Sequence, residues 1–342
     1  MNTTGKAGEL LERAVVGERR ALGRLLSLVE QGGAPADEIA ELVHTHANGT
    51  APIIGVTGAP GTGKSTLVGH LVTKMAGIPQ DPGSPGNSGI PDMAALGCKP
   101  AVLAVDPSSP LTGGAILGDR IRMDGVAAGR VFIRSMATRG HAGGLALAVP
   151  GALRLFEACG FAPLLVETVG VGQVEVDVTR TADTTVVMVA PGMGDAVQAN
   201  KSGLLEVADV LVVNKADRPG ADDTRRDLEH MLDLGHMTGQ TQHWRPEIIM
   251  TTATSGDGAD QVHSAIQAHR THLKETGQLE ARRQSRIHQE VLDRLTQHLD
   301  TRASQYLSTH PDELREALEG HKTPTVTAAE LSKRLLSNQP SR

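Results

Sequence analysis

Residues 53–75 read IIGVTGAPGTGKSTLVGHLVTKM, and this stretch decides the fold. Four of its first five residues are β-branched. Gly58-Ala59-Pro60-Gly61-Thr62-Gly63-Lys64-Ser65 matches GxxxxGK[ST], and Thr66 continues into a helical apolar pattern. A strand, a glycine-rich turn and a helix in that order form a phosphate cradle. The glycines let backbone N–H groups approach phosphate oxygens, and the helix N-terminus adds partial positive charge. The lysine neutralises β- and γ-phosphates, and the serine hydroxyl is a Mg2+ ligand.

The same alternation runs on from there. Apolar β-branched runs at 53–57, 101–106, 131–134, 163–168, 184–190, 210–214 and 247–251 are separated by helical stretches. Several are apolar throughout, as strands buried on both faces must be. The expected fold is α/β, a P-loop NTPase with a mainly parallel sheet flanked by helices. Residues 7–46 predict two amphipathic helices, with Leu10, Leu11, Ala14, Val15, Leu22 and Leu25 at helical spacing and a break over 32–36. Residues 79–99 hold four prolines and four glycines and are read as a long mobile loop. Beyond 276 the chain is charged and helical, with an apolar stripe at Leu292, Leu295 and Leu299 and shorter helices near 311–319 and 327–337. The expected organisation is an N-terminal helical extension over 1–48, a nucleotide domain over 49–275 and a C-terminal helical arm over 276–342.

Ligands of open parallel sheets sit at the carboxyl ends of the strands, and the remaining motifs fall there. Asn214-Lys215-Ala216-Asp217 ends the run VLVVN and matches NKxD. Its Asp carboxylate can accept from guanine N1–H and the exocyclic amine, a donor pair that adenine lacks. Thr252-Ala253 follows the next run, in the position of a short [ST]A loop that touches the guanine oxygen. Glu167-Thr168-Val169-Gly170 stands in the Walker-B/DxxG position with Glu for Asp. A carboxylate there can hold Mg2+ through water, and the Gly170 N–H can meet a γ-phosphate. Asp106 ends AVLAVD and Asp119 lies in GGAILGDR; spacing alone leaves each open between Mg2+ binding and a turn or surface role.

Composition removes other classes. The 342 residues include three Phe, one Trp and one Tyr, and the formal net charge is −6. So few aromatics argue against single-strand nucleic-acid readers, and the negative balance argues against nucleic acid and anionic membranes. Two cysteines cannot form a disulfide framework or a Cys-rich zinc site, which fits a reducing compartment. No apolar run reaches membrane-spanning length, and the charged N-terminus lacks a signal core. The expected location is cytoplasmic. With so few rings available, the aliphatic stem of Lys215 is placed to pack against the base.

DPSSPLTGGAILGDRIRM, FIRSMATRGHAGGLA, LLVETVGVGQ, APGMGDAVQANKSGLLEVADVLVVNKAD and the phosphate loop together resemble the MeaB/ArgK/MMAA family. These are G-protein chaperones of adenosylcobalamin-dependent acyl-CoA mutases, chiefly methylmalonyl-CoA mutase. The resemblance covers about residues 50–270, and the helical flanks agree with a plan that includes a C-terminal dimerisation arm. It implies a GTPase with Mg2+ as cofactor, a mutase as partner and a homodimer. It also implies that Asp106 and Asp119 are Mg2+-associated switch aspartates, and that Glu167 is the Walker-B glutamate. The segment 192–203 corresponds to the switch that contacts the mutase, with Gln198 and Lys201 at the functional positions. The chain departs at Ser202, where many members carry a second lysine, and in its 79–99 loop. No glutamine stands directly beside Gly170; Gln173 is the nearest candidate to orient the catalytic water. Two other readings stay open: a nickel-insertion GTPase, for which His269 and His272 at i, i+3 are the nearest metal pair against a solvated helix face, and a kinase of an arginine/ornithine transport system.

Overall fold

The structure is a computed structural model, and it describes residues 3–78, 98–106, 130–137, 144–168, 180–192, 207–237 and 244–337. Strands β1 (Ile53–Gly58), β2 (Ala101–Asp106), β3 (Phe132–Ala137), β4 (Leu164–Thr168), β5 (Thr184–Val189), β6 (Val210–Asn214) and β7 (Glu247–Thr251) form one sheet. Their order is β3-β2-β4-β1-β5-β6-β7, and every adjacent pair is parallel. All seven expected strands are present. β1, β4 and β6 are buried along their whole length, which is why their sequences read as largely apolar runs rather than as alternation.

The N-terminal region forms three helices rather than two: α1 (Thr3–Val15), α2 (Arg19–Gln31) and α3 (Ala34–His44). The apolar spacing continues across residues 16–18, but Gly17 adopts φ 100° and turns the chain. Periodicity alone cannot see such a turn, because the second helix resumes in phase with the buried stripe. α4 (Lys64–Met75) follows the phosphate loop, and α5 (Gly144–Ala158) precedes β4. α6 (Ala221–Met237) and α7 (Ala259–Glu275) flank β7 in sequence.

Two apolar layers sandwich the sheet. On one face, Leu10, Leu22, Leu25 and Leu26 of the N-terminal helices meet Leu155 and Phe156 of α5 over Leu103, Phe132, Met136 and Leu164. On the other, Leu67, Val68 and Leu71 of α4 meet Val262 and Ile266 of α7 over Val56, Val102, Val186 and Val212. Alternate residues of one strand thus serve opposite layers. The N-terminal helices share their core with the sheet. Phe132, Phe156 and Phe161, all the phenylalanines of the chain, cluster there with centroids 5.6–6.0 Å apart.

The chain divides into two compact units, Met1–Ile287 and His288–Arg342. The second contains the later part of α8 (Gln278–Thr309), a 3-10 turn (Pro311–Leu314), α9 (Arg315–Leu318) and α10 (Pro324–Ser337). Within it, Glu313 accepts from Tyr306 Oη at 3.1 Å and from Arg334 Nη1 at 2.8 Å. Val291, Leu292, Leu295 and Leu299 are solvent-exposed on α8. Among the described residues, no helix is long and apolar enough to cross a membrane.

Candidate nucleotide site

The strand order reverses direction around β1. From β1 the chain crosses to β2 on one side of it, and from β4 it crosses to β5 on the other. The crevice at such a reversal is where an open α/β sheet receives its ligand, and the phosphate loop leaves β1 there. Two glycines of the loop are required sterically. Gly58 has φ 137°, and a Cβ on it would stand 2.1 Å from the Met188 carbonyl oxygen; Gly63 has φ 97°, and a Cβ would stand 2.3 Å from Asn214 Nδ2. The Thr62 hydroxyl donates to the Ala59 carbonyl at 2.8 Å. Helix α4 opens directly at Lys64, so its first amides have no acceptor within the helix and face the loop.

Lys64 is buried, and its ammonium donates to the carbonyls of Gly58 at 2.6 Å and Ala59 at 3.0 Å. The cation is therefore held inside the loop, where a phosphate would meet it. Beside it the Ser65 hydroxyl donates to Glu167 Oε1 at 2.6 Å. Thr168 Oγ1 donates to Thr57 Oγ1 at 2.9 Å in the buried interior, joining the strand that carries Glu167 to the strand that carries the loop. Asp106 ends β2 two positions beyond Ala104, the residue in register with Glu167. The adjoining oxygen donors of Ser65 and Glu167 suit a hard cation such as Mg2+. Asp119, Gly170, Gln173, Gln198, Lys201 and Ser202 lie outside the described residues, as does nearly all of the 79–99 loop.

On the base side Asn214 is a hub. Its Nδ2 donates to the Thr62 carbonyl at 2.6 Å, and its Oδ1 accepts from Thr251 Oγ1 at 3.0 Å and the Ala253 N–H at 2.9 Å. The side chain thus binds the phosphate loop, β6 and the loop after β7 to one another, and is turned toward protein groups. Spacing assigned Asn214 only to the base; its bridging role depends on the missing Cβ of Gly63, which is distant in the chain. Lys215 takes the left-handed conformation with φ 60°, rare for a residue with a Cβ. Asp217 beyond it is exposed. The Thr252 N–H donates to the Asp257 carbonyl, and the Ala216 N–H to the Thr251 carbonyl, both at 3.0 Å.

The opposite end of the sheet carries a second polar cluster that the sequence did not signal. Asp209 accepts from Arg282 Nη1 and Nη2 at 2.9 and 2.8 Å and from the Thr185 N–H at 2.8 Å. His269 is fully buried: Nε2 lies 3.2 Å from Asp209 Oδ1 and Nδ1 lies 2.9 Å from Thr184 Oγ1. Burial pushes the Asp209 carboxyl up, but the adjoining His269 ring and the hydrogen bonds and charge of Arg282 outweigh it and hold its pKa low. Asp183 accepts the Ile53 N–H at 3.1 Å and faces Arg283 and Arg286 at 3.6 and 3.3 Å. His269 therefore belongs to a buried network rather than to a solvated helix face. His272 packs on Trp244 at 5.1 Å. Among the described residues, no cluster of three or more His, Cys, Asp or Glu is placed to hold a metal.

A parallel sheet with a phosphate loop on its central strand and NKAD on a nearby one defines a P-loop GTPase. The chain belongs to the MeaB family: residues 22–306 match the family described as "Methylmalonyl Co-A mutase-associated GTPase MeaB". It is 44% identical over 284 residues to a protein of Pyrococcus horikoshii named as a candidate GTPase, covering 83% of this chain and 84% of that one. It is 35% identical to GTPase ArgK of Escherichia coli, covering 81% and 80% respectively. A further match, 34% identical over 229 residues, is to a fused isobutyryl-CoA mutase of Cupriavidus metallidurans; it spans 67% of this chain and 20% of that protein. Among solved structures, one described as a LAO/AO transport system kinase superposes with a TM-score of 0.64 at 25% identity, covering 98% of this chain and 99% of that one.

Proposed function

We propose that this GTPase gates adenosylcobalamin loading of an acyl-CoA mutase, methylmalonyl-CoA mutase foremost, and protects the working mutase. The observation that carries the reading is the fused relative, in which a region similar to this chain is joined in one polypeptide to an isobutyryl-CoA mutase. The family description names a mutase as well. The functional division is a helical extension over 1–48, a GTPase domain over 49–275 and an arm over 276–342, working as a cytoplasmic homodimer. The apolar stripe at Val291, Leu292, Leu295 and Leu299 supports a second copy as what covers the arm.

Hydrolysis forms a bond from water oxygen to the γ-phosphorus and breaks the bond to the β–γ bridging oxygen, releasing GDP and phosphate. Such a transfer depends on positioning and charge neutralisation more than on covalent chemistry. Amides of residues 58–66 receive the phosphates. Lys64 exchanges the carbonyls of Gly58 and Ala59 for phosphate oxygens and neutralises charge that grows on the bridge. Ser65, Asp106, Asp119 and Glu167 are the residues that would hold Mg2+. When bound, Mg2+ supplies further neutralisation of the β- and γ-oxygens. The Gly170 N–H meets the γ-phosphate. Asp217 reads guanine, the Lys215 stem packs on its face, and Asn214, Thr252 and Ala253 border the pocket. No glutamine stands beside Gly170 in the sequence, Gln173 being the nearest candidate to orient the attacking water, so intrinsic turnover is slow. It quickens when the mutase orders the switch that holds Gln198 and Lys201.

The test is to purify the chain with candidate mutases and measure phosphate release and adenosylcobalamin transfer in the GTP and GDP states. A mutase that leaves GTP turnover unchanged, and loads cofactor regardless of nucleotide, overturns the reading. The superposition on a transport system kinase keeps a second reading in view, phosphoryl transfer to a transport protein. γ-Labelled GTP separates the two: label recovered as free phosphate supports the GTPase chaperone, and label on a protein acceptor supports the kinase.

A further inference from the structure

Among the described residues β3 is an edge strand of the sheet, and no described strand pairs with its outward N–H and C=O groups. Helix α2 lies against it. At the amino end of β3, Arg19 Nη2 donates to the Val131 carbonyl at 2.6 Å, and its guanidinium stands 5.2 Å above the Phe132 ring. At the carboxyl end, Glu30 Oε1 accepts the Ala137 N–H at 3.1 Å, and Glu30 Oε2 accepts from Arg134 Nη2 at 2.8 Å. Arg134 Nη2 also donates to Ser27 Oγ at 3.2 Å. The lengths agree: 13 helical residues span about 20 Å at 1.5 Å each, and six strand residues span about 20 Å at 3.3 Å each. The helix is a splint fastened at both ends of the strand.

The far end of that splint reaches the nucleotide side. Ala137 is in register with Asp106, the last residue of β2. On its other side β2 pairs with β4 through Val105, which faces Thr168, the last described residue of that segment. Among the described residues, the backbone of Asp106 is therefore flanked by β3 alone. The Glu30 carboxylate, part-buried against Arg134 with side-chain exposures of 10% and 19%, holds the outward N–H of Ala137, the residue paired with Asp106. We propose that Glu30 is a positioning residue for the metal side of the nucleotide site, acting through Ala137 on Asp106. This rests on the reading of Asp106 as a Mg2+-associated carboxylate. It gives the N-terminal helices a part in nucleotide handling beyond covering the core.

The experiment uses the full chain loaded with a fluorescent GDP analogue and measures the Mg2+ concentration that half-slows its release. Glu30→Ala raises that concentration by about tenfold, the low end of the usual cost of losing an outer-shell partner. Analogue affinity without Mg2+ is unchanged. Glu30→Gln keeps an acceptor for the Ala137 N–H and shifts the value by about twofold at most. A merely structural role for Glu30 would lower the thermal midpoint and leave the Mg2+ requirement of the folded protein where it was. That result, a Glu30→Ala chain within about twofold of wild type, overturns the inference. Should Glu30→Ala not fold, Arg134→Lys, which weakens the charged contact on Glu30 Oε2, carries the test: about a threefold rise supports the inference and no rise overturns it. Asp106→Asn separates the metal reading from the positioning role. If it matches wild type, the metal reading fails and the inference with it. If it raises the Mg2+ requirement while Glu30→Ala and Arg134→Lys do not, the inference alone fails.

Discussion

The two ends of the sheet solve opposite electrostatic problems. At the amino end, the Asp183 and Asp209 carboxylates are enclosed by Arg282, Arg283, Arg286, His269 and strand amides. Charge there is neutralised within the protein. At the carboxyl end, neutral carbonyls hold the ammonium of Lys64, and a hydroxyl holds the Glu167 carboxylate. Dipoles of that kind orient a charge and give way readily to a charged ligand. One end ties its carboxylates to cations away from the phosphate loop, and the other gathers Lys64, Ser65 and Glu167 at that loop, so substitutions at the two ends should separate stability from affinity.

The largest expected effect is at the amino end. Arg282→Met leaves the buried Asp209 without its principal cation and lowers unfolding free energy by about 3 kcal/mol, the low end for breaking a buried pair because Arg282 is partly exposed. Urea unfolding measures it, and GTP affinity of the folded protein should not move. Next comes Lys64→Ala, which lowers GTP affinity about a hundredfold by removing a charge-assisted contact, with no comparable loss of stability. Equilibrium binding and unfolding run on the same sample would blur the comparison if both fell together. Asp217→Asn should cost GTP about thirtyfold and turn preference toward xanthosine triphosphate, whose purine edge offers a different set of donors. Competition between the two nucleotides reads this directly.

The smallest effect is on pH. His263 is buried on α7, and burial together with the nearby charge of Lys74 lowers its pKa, against a smaller opposing pull from Asp260. The unfolded chain takes up a proton near the ordinary value of 6.5, which the folded chain resists. Stability from this group is present above that pH and is lost as pH falls below it. The thermal midpoint should drop by a few degrees, about 1 kcal/mol, between pH 7 and pH 5.5, and His263→Leu should flatten the slope. Asp209, with its lowered pKa, adds a further loss only in stronger acid, below the ordinary 3.8.

The sheet was legible because strands covered on both faces leave runs such as LLVET and VLVVN, which no exposed element would tolerate. The phosphate loop was legible because its glycines answer local constraints, Gly58 against the Met188 carbonyl and Gly63 against Asn214. What could not be read was whatever joins residues distant in the chain by a single polar contact. Asn214 on the Thr62 carbonyl, Thr57 on Thr168, and Glu30 on Ala137 have no spacing or periodicity to announce them. The third N-terminal helix escaped for a related reason, since one glycine at φ 100° turned the chain without disturbing the apolar phase.

The splint on β3 has a consequence for how the chain behaves in company. An uncovered edge strand is a template for a strand from another molecule, and proteins commonly shield such edges. Here the shield is a helix encoded about a hundred residues before the strand it covers. A chain lacking the segment through Gln31 would bare the outward amides of β3, and its self-association would then grow with concentration through strand addition. The N-terminal helices thus act as a built-in chaperone for their own sheet, keeping it from its neighbours' sheets.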